Sequence, residues 1–119
     1  MYGLPKGFDA GFLVGRTLET VLFSENTVSF TFGDRVSVTV TSALQHQLSS
    51  ESDQPNVQSV PLSESKLMQL PGHCVTQAKG EEEGTLVLVF DNGHVLKVFD
   101  NDPHYECYSI NDGEHEIFV

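Results

Sequence analysis

The densest group of potential metal ligands lies in residues 100–107, which read DNDPHYEC. Side chains alternate between the two faces of an extended strand, so four of these would project to one side: Asp100, Asp102, His104 and Glu106. Carboxylate and imidazole groups bind divalent ions, and the segment therefore predicts a metal site on Asp102, His104 and Glu106. The alternative is an ordinary turn, because Asp-Asn-Asp-Pro is also a typical turn sequence.

Two cysteines, Cys74 and Cys107, are the other groups with reactive chemistry. They lack the paired spacing of a structural zinc site, and two cysteines are too few for a disulfide framework. The sequence contains no nucleotide-binding, nucleophile-elbow or zinc-protease motif. We therefore expect structural cysteines, no catalytic residues and no cofactor, which favours a binding module over an enzyme.

Acidic residues dominate the charge of the chain, which is −11 at pH 7. Residues 61–119 carry eleven acidic and three basic side chains, whereas residues 1–60 carry six acidic and three basic ones. Phosphate binding needs clustered Lys and Arg, so nucleic acid is not expected as a partner. The run Glu81, Glu82 and Glu83 predicts either a solvated loop or a surface that binds a basic protein.

Residues 85–99, TLVLVFDNGHVLKVF, predict the β-hairpin around which the second half is organised. An Asn-Gly step between two apolar runs is a strong hairpin signal, and a three-residue turn pairs Leu88 with Leu96 and Phe90 with His94. His94 then follows the turn directly and is expected to be exposed. Both hairpin faces are largely apolar, so a second layer or another subunit should cover the outer one. That face predicts a homodimer interface formed by four side chains: Val87, Val89, Val95 and Phe99.

A weaker copy of this hairpin lies in residues 27–40, TVSFTFGDRVSVTV. The matched pairs are Thr27 with Thr85 and Phe32 with Phe90 at an offset of 58, and Val36 with Leu96 and Val38 with Val98 at an offset of 60. Residues 15–21 also match residues 72–78 at an offset of 57. The pattern predicts two antiparallel meanders of three strands, explained by divergent duplication. The alternative is that any two meanders share this alternation.

The predicted fold is mainly β, with the two meanders packed as a sandwich or open barrel in a single domain of residues 1–119. Its repeated halves span roughly residues 11–48 and 62–119. The polar residues 49–61 are expected to form a flexible loop between the halves. The first strand is expected to begin at Phe12.

Two short helical segments are considered. Residues 41–48 place Leu44 and Leu48 four positions apart, which suits a helical turn, although a continued strand is the alternative. Residues 63–70 predict the one short helix of the fold, with Ser63 as its N-cap and Pro71 and Gly72 after its end.

Three stretches of the second half resemble a bacterial family of uncharacterised small β-rich domains: residues 70–72 (LPG), the hairpin and residues 105–110 (YECYSI). That family has a glycine-led strand, an F-x-[DN]-G hairpin and a Y-E-[ST]-[YW]-x-[ILV] strand. Cys107 stands where the pattern has Ser or Thr, so no catalytic role is implied for it. Small acidic proteins of this kind are similar to immunity proteins encoded beside polymorphic toxins. The resemblance therefore implies neutralisation of a partner protein.

Three functions follow as hypotheses. The first is a non-enzymatic module that binds a basic protein, with an immunity-like role. The second is a structural homodimer, and the third is a metal-dependent enzyme or sensor built on residues 100–107. The sequence has neither a run of about 20 apolar residues nor a signal-peptide core, so we expect a cytoplasmic protein without membrane contact.

Overall fold

The computed structural model describes residues 3–48, 57–60, 66–102 and 104–119. The strands in these ranges are β1 Thr20–Phe23, β2 Val28–Thr31, β3 Val36–Val40, β4 Ala43–Gln47, β5 Val57–Ser59, β6 Val75–Gly80, β7 Leu86–Phe90, β8 Val95–Phe99, β9 Tyr108–Asp112 and β10 Glu116–Phe118. They form two five-stranded antiparallel sheets, ordered β1-β2-β3-β9-β10 and β5-β4-β8-β7-β6. The predicted mainly β fold is confirmed.

The two central hairpins have the predicted pairing. In the second sheet Leu88 faces Leu96, and in the first sheet Phe30 faces Val38. Equivalent hydrogen bonds close the turns, from Phe32 N–H to Val36 O and from Phe90 N–H to His94 O, both at 2.9 Å. The register therefore relates the hairpins by an offset of 58 throughout. The predicted offset of 60 for the second strand of each hairpin is wrong, because both turns contain three residues.

One apolar core lies between the facing sheets, as the alternation of apolar residues predicts. Each hairpin turns one set of side chains inward, and all of them are buried: Val28, Phe30, Phe32, Val36, Val38 and Val40 from the first, and Leu86, Leu88, Phe90, Leu96 and Val98 from the second. Tyr108 and Ile110 of β9 and Leu44 of β4 complete the middle of this core.

The two halves exchange strands between the sheets. Strands β1, β2 and β3 form a meander in the first sheet, and β6, β7 and β8 form the equivalent meander in the second. After β3 the chain crosses to the second sheet, where β4 pairs with β8. After β8 it crosses back, and β9 pairs with β3. Each sheet therefore contains a meander from one half and a hairpin from the other.

An approximate two-fold axis relates the halves and passes between Thr17 and Cys74, which form an isolated antiparallel bridge. Four backbone hydrogen bonds surround it in two equivalent pairs: Gly15 N–H to Val75 O (2.8 Å) with Gly72 N–H to Leu18 O (2.7 Å), and Leu18 N–H to His73 O (2.9 Å) with Val75 N–H to Arg16 O (2.9 Å). A shift of 57 residues converts each bond into the other member of its pair. This symmetry supports the internal repeat.

The predicted helices are the main correction to local structure. The helix expected over residues 63–70 is a 3₁₀ turn at Leu67–Gln69, and its proposed cap Ser63 lies outside the described residues. Residues 41–48 contain β4 instead of a helical turn. Its inner positions alternate, because Leu44 lies opposite Val98 and His46 lies opposite Leu96.

Two further segments differ from expectation. The chain near Phe12 forms a 3₁₀ turn over Ala10–Leu13, capped by the Asp9 side chain, and β1 begins later. Within the expected loop 49–61, Val57–Ser59 forms the edge strand β5 beside β4, while most of the loop lies outside the described residues. In the described ranges, no helix has the length and apolarity to cross a membrane.

Candidate interaction surface

The outer face of the second sheet carries the predicted homodimer residues, and we call it the outer apolar face. Its defining side chains are half-buried and lie on β7 and β8: Val87, Val89, Val95 and Phe99. Val57 of β5 lies in the same face, opposite Gln45, and is 55% exposed. The first sheet packs against the opposite face, so it does not supply the covering layer that the sequence predicted.

On the outer face of the first sheet the positions that match β7 and β8 are polar, while Leu22 of β1 and Phe118 of β10 are exposed at its two edges. With the offset of 58, four pairs correspond: Ser29 with Val87, Thr31 with Val89, Ser37 with Val95, and Thr41 with Phe99. Hydroxyl groups bond along this face, with Ser29 Oγ and Thr39 Oγ1 3.1 Å apart and Thr20 paired with Thr31. The same fold position is thus filled by hydroxyl residues in one half and by Val or Phe in the other.

The acidic loop between β6 and β7 lies at one end of the outer apolar face. Glu81 N–H donates to Thr85 O at 2.8 Å, which closes the loop, and Glu82 and Glu83 are exposed. A backbone hydrogen bond and one with Glu81 lower the pKa of Glu83, and the nearby Lys79 and Lys97 lower it further. Both lysines flank Val87 in the sheet register, so Glu83 borders the face.

The predicted metal ligands lie in a turn at the same end. Asp102 Oδ1 accepts hydrogen bonds from His104 N–H at 2.9 Å and from Tyr105 N–H at 3.3 Å, which is the turn alternative. His104 and Glu106 are exposed. Within the described ranges, no three His, Cys, Asp or Glu side chains are grouped so that they could hold a metal ion. The described residues therefore provide no metal-binding geometry at Asp102, His104 and Glu106, and the metal site stays a prediction.

A buried polar cluster anchors this end of the second sheet. Asp100 is 7% exposed; its Oδ2 accepts from Gly3 N–H at 3.0 Å, and its Oδ1 accepts from the Cys107 thiol at 3.5 Å. The buried Tyr108 hydroxyl donates to Gly84 O at 2.5 Å. Burial, together with the nearby Asp100, raises the pKa of Tyr108. These contacts give Cys107 a structural environment that ties the N-terminal segment to the core.

An exposed His-Asp pair has a partial counterpart in the other half. His73 Nδ1 lies 2.6 Å from Asp91 Oδ1, and this contact lowers the pKa of Asp91. Arg16 Nη1 lies 3.3 Å from Asp34 Oδ2. At the offset of 57 Arg16 corresponds to His73, but the hairpin offset of 58 relates Asp34 to Asn92 and not to Asp91, so the two pairs share only the position of the cationic side chain.

His46 and His94 are in contact, which the sequence did not predict. His46 Nε2 and His94 Nδ1 are 3.1 Å apart, and the rings are 5.1 Å apart at an angle of 51°. His94 is 9% exposed, so its predicted exposure is wrong. Burial and the charge of His94 lower the pKa of His46 to about 4. The signal was the strand alternation, which places His94 on the inner face with Leu96.

Comparison with known proteins gives one family. Residues 11–119 match the family of unknown function DUF6188. Neither the curated proteins nor the solved structures contain a match to the chain. The match begins just after the N-terminal segment and spans both sheets, including the outer apolar face and the acidic loop. The chain therefore belongs to this family of unknown function.

Proposed function

We propose that the chain is a non-enzymatic protein-binding domain that receives a basic protein on its outer apolar face. The observation that carries this proposal is the difference between the central hairpins of the two outer faces. Positions related by the repeat hold Ser29, Thr31 and Ser37 on one sheet and Val or Phe on the other. The fold forms with hydroxyl residues at these positions, so it does not require apolar ones there.

Apolar side chains on an open sheet face expose surface to water, which costs free energy unless a partner covers it. The aliphatic and aromatic residues at Val87, Val89 and Phe99 are half-buried by their neighbours in the sheet. A partner could remove their remaining apolar surface from water. Such a centre, surrounded by polar residues, is the usual anatomy of a protein interface.

The acidic residues near the outer apolar face favour a basic protein as the partner. The acidic loop Glu81, Glu82 and Glu83 and the exposed Glu106 lie at one end of the outer apolar face. Carboxylates at one end of an apolar face attract a partner that carries basic residues beside its own apolar patch, and they increase its association rate. Lys79 and Lys97, which flank Val87, lie on the same face, so the attraction comes from the acidic end. The net charge of −11 extends the same attraction over the whole molecule.

An immunity-like role is the form of this function that the resemblance of the second half favours. In that role the domain neutralises a basic partner by occupying its active surface. Binding alone suffices for neutralisation, which fits a chain whose sequence contains none of the common catalytic motifs. The finer role depends on the partner, whereas the binding surface follows from the residues above.

The proposal predicts that substitutions in the outer apolar face and in the acidic loop each lower the affinity for the partner. The variant Val87→Ser, Val89→Thr, Val95→Ser introduces the residues of the equivalent face and should keep the fold. We expect it to weaken the complex at least about tenfold, because it removes apolar contact at the centre. Affinity is measured by calorimetry with the basic protein that co-purifies from the native cells.

Charge reversal tests the contribution of the acidic loop. Glu81→Lys, Glu82→Lys, Glu83→Lys should weaken the same complex and slow its association. The matched control is Glu25→Lys, Glu114→Lys, Glu116→Lys, which changes the net charge equally at exposed positions away from the face. Equal losses in both triple variants would remove the acidic loop from the interface, and unchanged affinity in the Val87, Val89 and Val95 variant would overturn the proposal.

A second copy of the chain is the competing occupant of the same face. Native mass spectrometry of the purified protein distinguishes the two. A monomer that binds the basic protein supports the proposal. A dimer that the Val87, Val89 and Val95 substitutions convert to monomer would instead assign the face to self-association.

A further inference from the structure

The His46–His94 contact lies at the end of the second sheet that is distant from the acidic loop. It joins β4 to the first residue after the β7–β8 turn, and both side chains point toward the core side of the sheet. One nitrogen of each ring faces the other at 3.1 Å. The contact has hydrogen-bond geometry, so without a bound ion one of these nitrogens carries a proton directed at the other.

The internal repeat shows what the fold places at these positions by default. His94 accepts the turn hydrogen bond from Phe90, as Val36 does from Phe32, so His94 corresponds to Val36. The counterpart of His46 is Ile110, because each lies opposite the equivalent residue of the neighbouring strand: His46 opposite Leu96, and Ile110 opposite Val38.

Val36 is 1% exposed and Ile110 is fully buried. In the first half an apolar pair thus closes the end of the core, and in the second half both members are histidine. Replacing apolar core residues by imidazoles costs desolvation energy without any need of the fold. Departures of this kind from the local pattern concentrate at functional sites.

We propose that His46 and His94 form a two-imidazole binding site for a divalent transition-metal ion of the zinc, nickel and copper class. Imidazole nitrogen is a good ligand for these ions. With metal–nitrogen bonds of about 2.05 Å, the 3.1 Å between the two nitrogens corresponds to an angle of about 98° at the metal. That angle lies between the square-planar and tetrahedral values.

Two protein ligands leave the remaining coordination positions to water. In the part of the chain that the structure describes, no third His, Cys, Asp or Glu side chain joins the pair. An open coordination sphere gives modest affinity and leaves room for a further ligand from a bound molecule. The site is independent of the outer apolar face.

The surroundings keep both rings in the neutral form that binds metal. Burial, then His94 and Lys66, lower the pKa of His46, and burial and His73 lower the pKa of His94. Protons therefore do not compete with a metal near pH 7. The same burial and the Lys66 charge also oppose a cation at this point, so the expected affinity is modest, while Asp91, which pairs with His73, adds a negative charge to this end of the sheet.

Thermal unfolding of the chelator-treated chain with ZnCl₂, NiCl₂ and CuCl₂ at pH 7.5 tests the proposal. An ion that binds the native state must stabilise it, and we expect Tm to rise by about 5 °C at a twentyfold excess over Kd. The double variant His46→Ile, His94→Val carries the residue types of the equivalent pair and should fold but lose the shift. The control His104→Gln, at an exposed histidine, should keep it.

Calorimetric titration gives the second readout, with one ion per chain expected for the native protein. The single variants His46→Gln and His94→Gln serve if the double variant does not fold, and each should lose binding at least about tenfold through the missing ligand. No binding of any of the three ions would overturn the proposal. Equal binding by the native chain and by the variants at His46 and His94 would also overturn it.

Discussion

Gly84 shows at the scale of one residue how a buried carboxylate constrains the chain beside it. Its φ of +95° is a conformation that L side chains rarely adopt. A Cβ at this position would lie 2.8 Å from Asp100 Cβ and closer still to its carboxylate, which holds Gly3 and Cys107. Glycine is therefore needed for both backbone and packing reasons.

Gly84→Ala is expected to lower the free energy of unfolding by about 3 kcal/mol, since backbone strain and a clash with Asp100 add. Gly93→Ala is the matched control, because Gly93 has a φ of +85° and open space around its Cβ position. It should cost only about 1 kcal/mol through backbone strain. Urea unfolding measures both, and equal losses would show that Asp100 does not confine this turn.

Site residues that are neighbours in sequence were predictable, whereas those that meet through strand pairing were not. Glu81, Glu82 and Glu83 are adjacent in sequence, so their common loop was predictable. Asp100 and Gly84 are distant in sequence and meet only through the pairing of β7 with β8. The Asp102 segment looked like a ligand set because it alternates, but the Asp102 side chain bonds to the backbone that follows it, and this fixes a turn.

At the scale of elements, the two central hairpins were predictable and the crossing hairpins were not. Local turn signals and strict alternation fix β2–β3 and β7–β8 within a few residues of sequence. In β4, Leu44 and Leu48 matched helical spacing. The alternating strand pattern is recognised only if His46, a polar residue, is assigned to the inner face. Its pairing with β8 comes from a distant part of the chain, so tertiary structure overrode the local preference.

The His46–His94 contact joins two such elements and makes their association sensitive to acid. The folded pKa of His46 is about 4 against an ordinary 6.5, and that of His94 is also lowered. Above pH 6.5 both states are neutral and the contact contributes fully. As pH falls from 6.5 to about 4, the unfolded chain gains protons that the folded one excludes, so stability decreases.

We expect a loss of about 1–2 kcal/mol over this range, after allowing for the partial exposure of His46. Urea unfolding in chelator-containing buffer at several pH values measures it, with His46→Ile, His94→Val as the control that should flatten the profile. Asp91 and Asp112 have lowered pKa values, so their contributions are lost only below about pH 4. An unchanged profile in the variant would refute this assignment.

At the scale of the whole molecule, the acidic excess acts on stability as well as on binding. A chain of net charge −11 repels itself when compact, and salt screens this repulsion. Raising NaCl from about 0.01 M to about 1 M shortens the Debye length from about 30 Å to about 3 Å.

We expect the urea midpoint to rise with this change in salt. The variant Glu25→Gln, Glu114→Gln, Glu116→Gln has less charge to screen and should gain less. A midpoint that falls with salt would mean that local ion pairs outweigh the overall repulsion, and an equal gain in both proteins would mean that the salt effect does not arise from the net charge.

The exchange of hairpins between the sheets also determines when the chain can fold during synthesis. The first sheet lacks its β9–β10 hairpin until residues 108–118 have left the ribosome, although β1, β2 and β3 emerge early. In the second sheet, β4 is synthesised about 50 residues before its partner β8. Neither sheet can therefore be completed in the order in which its strands are made. The unpaired edge of β3 is then open to other nascent chains. A chaperone that shields that edge would therefore matter most while the second half is still being made.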